Sequence, residues 1–129
     1  MKANELRIGN LLRDKVTKTE LKVIELTEVN IITYVIDRSK FPLQDGWGIE
    51  PIPLTEEWLL KFGFEKLSNG WLRLHICNDW SYLYWDRLAG LELSVNKQGI
   101  HFSHIKHVHQ LQNLYFALTG EELIYESND

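Results

Sequence analysis

Two alternating segments around a two-residue turn signal constrain this chain more than any other feature. Trp71 to Cys77 and Trp80 to Asp86 run with period two, and Asn78-Asp79 lies between them. Period two means strands, because successive side chains leave a strand on opposite faces. A two-residue loop sets Cys77 opposite Trp80, His75 opposite Tyr82, Arg73 opposite Tyr84 and Trp71 opposite Asp86. One face then carries Leu72, Leu74, Ile76, Leu83 and Trp85, which have to be buried together. The other carries Trp71, Arg73, His75, Trp80, Tyr82 and Tyr84.

The flanking sequence extends this hairpin into a lobe. Leu91, Leu93 and Val95 alternate again, and Asn96-Lys97-Gln98-Gly99 turns the chain into Ile100 and Phe102. Upstream, Thr55 is a good N-cap, and Glu56 and Glu57 sit where carboxylates favour the positive end of a helix. Trp58, Leu59 and Phe62 share a face, Gly63 occupies the left-handed C-cap position, and Phe64 folds back onto the helix. Downstream, a helix is expected over 106–118, with Val108, Leu111, Leu114, Tyr115 and Leu118 in one apolar arc. His109, Gln112, Asn113 and Phe116 form a second stripe, and no Asp, Glu, Lys or Arg occurs from Val108 to Thr119. A surface helix normally has a charged outer face. This stripe is therefore expected to be covered by protein, either the N-terminal lobe or a second copy of the chain. Residues 51–129 read as helix, four-stranded antiparallel meander, helix.

Residues 5–37 carry strand signals only, and 1–50 form an N-terminal β lobe with its connector. Leu6, Ile8 and Leu12 are spaced as a strand with a bend or bulge at Gly9-Asn10. The segments 21–26 and 31–36 are rich in β-branched residues. Val23-Ile24 and Ile31-Ile32 break the alternation, as in strands that twist or are covered on both faces. Three short strands after Arg7-Ile8-Gly9-Asn10 suggest a small SH3-like half-barrel. Pro42, Gly46, Gly48, Pro51 and Pro53 mark the boundary, and Phe41 and Trp47 make it a packed connector. The expected architecture is α+β, a small β lobe packed on an α-β4-α lobe, and one continuous domain fits the same pattern.

Composition removes several classes. With 129 residues, 44% hydrophobic and 25% charged, the chain is long enough for one real core and unlike a disordered one. A net charge of −4 gives nucleic acid no general attraction, and the single Cys77 excludes an internal disulfide. No apolar run is long enough to span a bilayer, and the start is too polar for a signal peptide, so a cytoplasmic protein is expected.

Three segments resemble one family: 1–10 (MKANELRIGN), 52–64 (IPLTEEWLLKFGF) and 108–123 (VHQLQNLYFALTGEEL). They are similar to a family of short uncharacterised proteins encoded by gut bacteria, their phages and other mobile elements. The resemblance covers roughly a third of the chain. It implies an accessory or regulatory context and no mechanism.

Four constellations bear on chemistry. His101, His104, His107 and His109 cluster in sequence near His75 and Cys77, but strand and helix geometry scatters their rings. No carboxylate lies between Val95 and Gly120 to finish a metal shell, so no metal or cofactor is expected. The aromatic face from Trp71 to Tyr84 either anchors a partner or packs as a second buried face, with Trp47 or Phe41 completing it. Lys2, Arg7, Arg13, Lys15, Lys18 and Lys22 outnumber the nearby acids, yet without interleaved aromatics they read as a solvated face. Catalysis has little support: His75 and Cys77 sit at i, i+2, and no P-loop, Gly-x-Ser-x-Gly or dinucleotide fingerprint occurs. The expectation is a non-enzymatic binding or adaptor protein acting on a protein partner or on itself as a homodimer. A nucleic-acid accessory role through the N-terminal lobe is the alternative, and a histidine-dependent metalloenzyme a weaker one.

Overall fold

The structure, a computed structural model, describes residues 6–26, 31–35, 49–76 and 80–123, with the backbone alone for 24–26 and 31–35. Over the described residues it is α+β, with two antiparallel sheets and two helices. The chain divides into two compact units, Met1–Pro53 with His107–Asn113, and Leu54–Lys106 with Leu114–Asp129. Residues 107–113, which the sequence assigns to the second lobe, thus group with the first.

The first unit holds β1 (Leu11–Asp14), β2 (Glu20–Leu26), β3 (Ile31–Val35) and β4 (Ile49–Glu50) in the order β3-β2-β1-β4. The expected strand through Leu6 and Ile8 is not there. Gly9 adopts φ +99°, Asn10 N–H donates to Arg7 O at 3.1 Å, and β1 begins only at Leu11. This turn buries Leu6 and leaves Ile8 61% exposed. The broken alternation in β2 has a local cause. Val23 faces Thr33 while Glu25 faces Ile32, so Ile24 is the extra residue of a β-bulge. Leu6, Leu12, Leu21, Val23 and Ile49 form this unit's apolar core. Across the β1–β4 pair, Arg13 Nε and Lys18 Nζ each lie 2.6 Å from Glu50 Oε1.

In the second unit α1 (Glu56–Lys61) begins and ends as its sequence dictates. Thr55 Oγ1 accepts the Trp58 N–H at 3.4 Å, and Gly63 turns left-handed at φ +95°. Phe64 N–H then donates to Leu59 O and Gly63 N–H to Leu60 O, the paired bonds of a Schellman stop. Phe64 and Leu59 are both buried. The sheet has five strands rather than four: β5 (Glu65–Lys66), β6 (Leu72–His75), β7 (Ser81–Asp86), β8 (Gly90–Val95) and β9 (Gln98–Phe102), in sequential order. A two-residue strand so close to α1 leaves no periodicity to read, which is why β5 escapes sequence inspection. The β6–β7 register pairs His75 with Tyr82 and Arg73 with Tyr84, as the hairpin reading requires. Leu72, Ile76, Leu83 and Trp85 are buried, whereas Leu74 is only half-buried. Asn96 and Lys97 both take positive φ, so the β8–β9 loop is a two-residue turn and β9 starts at Gln98.

The last helix, α2 (Val108–Thr119), starts later than expected. Gln110 Oε1 accepts the His107 N–H at 3.0 Å, half of a capping box, with a glutamine in the third helical position. The expectations for Phe41, Pro42, Gly46, Trp47, Gly48, Cys77, Asn78, Asp79 and the tail at 126–129 fall outside the described residues.

Two stability measurements follow. Leu83 is fully buried, so Leu83→Ala should cost about 2–5 kcal/mol in denaturant unfolding, and Leu74→Ala clearly less. Hydrogen bonds from Lys18 and then Arg13 hold the Glu50 carboxyl below its ordinary pKa. A depressed folded pKa stabilises above the unfolded value, and that contribution is lost as pH falls through the folded pKa. Glu50→Gln should therefore lower Tm slightly at neutral pH, and its gap to wild type should close on acidification.

Candidate binding face

Strand geometry divides the second unit's sheet into two unlike faces. Leu72, Leu83, Trp85, Leu91 and Leu93 are committed to the core. Their alternates must point the other way, and cross-strand pairing aligns them in rows. One row runs Glu65, Arg73, Tyr84, Glu92, His101, and the next runs His75, Tyr82, Ser94, Gly99. Trp80 stands at the end of β7, 67% exposed. His75 is exposed, and Trp71, Arg73, Tyr82 and Tyr84 are half-buried. Trp80 and His75 are thus accessible, while Trp71, Arg73, Tyr82 and Tyr84 are partly covered.

The side chains on this face hold one another in place. Arg73 lies over the Tyr82 ring at 5.0 Å, and its Nε donates to Glu65 Oε1 at 2.9 Å. His75 and Tyr82 have ring centroids 5.2 Å apart, and Tyr82 and Tyr84 6.0 Å. Glu65 and then Tyr84 raise the Arg73 pKa further, so the guanidinium stays charged and fixed. Rigid rings around an immobilised arginine lose little entropy when a partner covers them.

The helix stripe has a different fate. His109 and Gln112 are buried, Asn113 is half-buried, and Phe116 is 39% exposed. Within the first unit Gln112 Oε1 accepts the Leu11 N–H at 2.8 Å, and Gln112 Nε2 donates to Gly9 O at 3.4 Å. Asn113 Oδ1 accepts from Asn10 Nδ2 at 2.9 Å and from Arg7 Nε at 3.0 Å. The expected cover over the whole stripe holds for its polar members and not for Phe116. Sequence reasoning missed Asn10, which is fully buried, and took Arg7 for a solvated cation. Their signal was present: an uncharged amide pair on one helix needs buried polar partners elsewhere.

The remaining candidates disperse. His101 Nε2 bonds Ala89 O on one edge of the sheet, His104 stacks edge-on with Phe102, and His107 sits 5.9 Å from His109 in a stacked pair. Among the described residues no group of three His, Cys, Asp or Glu converges as metal ligands would. Arg7, Arg13 and Lys18 are each bonded within the first unit, Lys18 with its side chain still 55% exposed. None of the described helices is long and apolar enough to cross a membrane. Compared with known proteins, the chain matches no family model, no curated protein and no solved structure.

The amide contacts are testable by truncation. Gln112→Ala strands the buried Leu11 N–H and should cost about 1–3 kcal/mol in chemical unfolding. Phe116→Ala, at a side chain 39% exposed, should cost about 1–2 kcal/mol through lost burial alone.

Proposed function

We propose that this chain is a small non-enzymatic binding or adaptor protein that engages a protein partner through the open face of its five-stranded sheet. The observation that carries the reading is Trp80, 67% exposed beside the half-buried Tyr82, Tyr84 and Arg73. Tryptophan, tyrosine and arginine are the residues that dominate binding energy at protein interfaces. Glu65 and Glu92 share the face with Arg73, His75 and His101, so its charge is mixed rather than uniformly basic. Such a surface suits a polypeptide with polar groups of both kinds better than a phosphate backbone. The first unit supports the nucleic-acid alternative poorly, since Arg7, Arg13 and Lys18 already serve internal acceptors.

In this reading β1 to β4 form half of an SH3-like barrel that acts as a scaffold, and the protein works in the cytoplasm. An accessory role on a mobile element fits a protein whose business is contact with other proteins rather than turnover.

The test is capture from native cell extract with the intact chain and with Trp80→Ala/Tyr82→Ala. The double variant should keep its melting temperature to within a few degrees and lose the captured protein. Equal capture by both chains would contradict the proposal, as would salt-sensitive retention on DNA that survives the double substitution.

A further inference from the structure

The five-stranded sheet has two edges of opposite character. At one end β5 is two residues long and charged, Glu65-Lys66, the usual means of blunting an edge against further pairing. At the other, β9 is five residues of Gln-Gly-Ile-His-Phe with no Lys, Arg, Asp, Glu or Pro. Gln98, Gly99, Ile100 and His101 are all exposed, and Ile100 is 55% accessible. We infer that β9 pairs antiparallel with β9 of a second copy of this chain, across a twofold axis at Ile100.

Hydrogen-bond parity shows which backbone groups are free for this. Asn96 N–H donates to Trp80 O at 3.0 Å, which makes Trp80 and Asn96 a hydrogen-bonded pair of the β7–β8 ladder. Such pairs recur every second residue, so Ser94, Glu92 and Gly90 also direct their backbone toward β7. The bond from Ile76 N–H to Ser81 O at 2.9 Å fixes the same parity from the other side of β7. Leu91, Leu93 and Val95 must then face β9, where they meet Phe102, Ile100 and Gln98. The N–H and C=O groups left pointing outward on β9 belong to Gly99 and His101.

Those groups are self-complementary. With the axis at Ile100, Gly99 lies opposite the partner subunit's His101, and each exchanges both backbone bonds with the other. Four hydrogen bonds result. Ile100 meets the partner subunit's Ile100 in the closer, non-hydrogen-bonded type of pair, about 4.5 Å between Cα atoms. The exposed apolar side chain is thereby covered by its own copy. Charge agrees with the same register. Glu92 places its carboxylate over Gly99, in the space a side chain there would fill. His101 turns back onto its own chain, its Nε2 bonded to Ala89 O, and so leaves the outer edge of β9 clear. No like charges oppose each other along β9, because the strand has none. A foreign strand would need to match this pattern, whereas a second copy matches it by symmetry.

The sheet so formed has twice five strands, with both aromatic faces on one side. The pairing itself does not depend on what those faces bind. Light scattering across a dilution series should give a concentration-dependent mass reaching twice that of one chain. Ile100→Lys, which puts a charge against itself at the axis, should give the single-chain mass while staying folded, with a melting temperature that no longer rises with concentration. Residue-resolved amide exchange should show Gly99 and His101 protected in wild type and released in Ile100→Lys, while Gln98, Ile100 and Phe102 stay protected in both. In a Cys77→Ser background, Ile100→Cys should cross-link under oxidation. A single-chain mass throughout the wild-type series would overturn the inference. So would a dimer that survives Ile100→Lys with the Gly99 and His101 amides exchanging freely.

Discussion

The two unlike faces of the second unit's sheet descend from the alternation of side chains along β7 and β8. Burying Leu72, Leu83, Leu91 and Leu93 on one side of the sheet is what drives it to form. Once those leucines are committed, Arg73, His75, Tyr82 and Tyr84 have nowhere to go but the opposite face. A shift of one residue in any pairing would exchange the two sets, so the core enforces the register. The aromatic surface is thus positioned by the stability of the core, and its rings need only settle on one another and on Arg73.

The first unit solves a different problem with polar groups. A helix start without charge has few ways to address water, and Gln112 and Asn113 instead meet the turn at Arg7 to Leu11. Those bonds satisfy the Leu11 N–H and the Asn10 amide in a place where apolar side chains could not. Amides specify geometry through donors and acceptors, so the contact selects one arrangement of turn and helix. Glu50 plays a related part at the surface, drawing Arg13 and Lys18 onto the β1–β4 edge.

How much of this was legible in the sequence varies with the length and regularity of each pattern. The β6–β7 pairing followed from two uninterrupted alternations, and α1 from Thr55, Gly63 and Phe64, whose roles are local. Where a tertiary contact decides, the sequence misled. The turn at Gly9-Asn10 looked like an interrupted strand because Leu6 and Leu12 are both buried, and nothing local says that Asn10 is held by Asn113, over a hundred residues away. Strand β5 is too short to have a period, and the bulge at Ile24 could be seen only as a broken alternation. Of the candidate site, the membership of the aromatic face was readable from parity, but its accessibility was not, since parity is silent on what lies above a sheet. The amide pair on α2 stood out by composition, and its partners did not.

The proposed partner surface is the aromatic sheet face with Trp80 at its end. Hydroxyl-radical footprinting of the intact chain, free and in native extract, reads that directly through side-chain oxidation. Trp80, Tyr82 and Tyr84 should lose reactivity in the extract complex while the buried Trp58 and Trp85 stay unreactive in both states. Protection that falls elsewhere on the chain, with Trp80 and Tyr82 as reactive in the complex as in isolation, would contradict it.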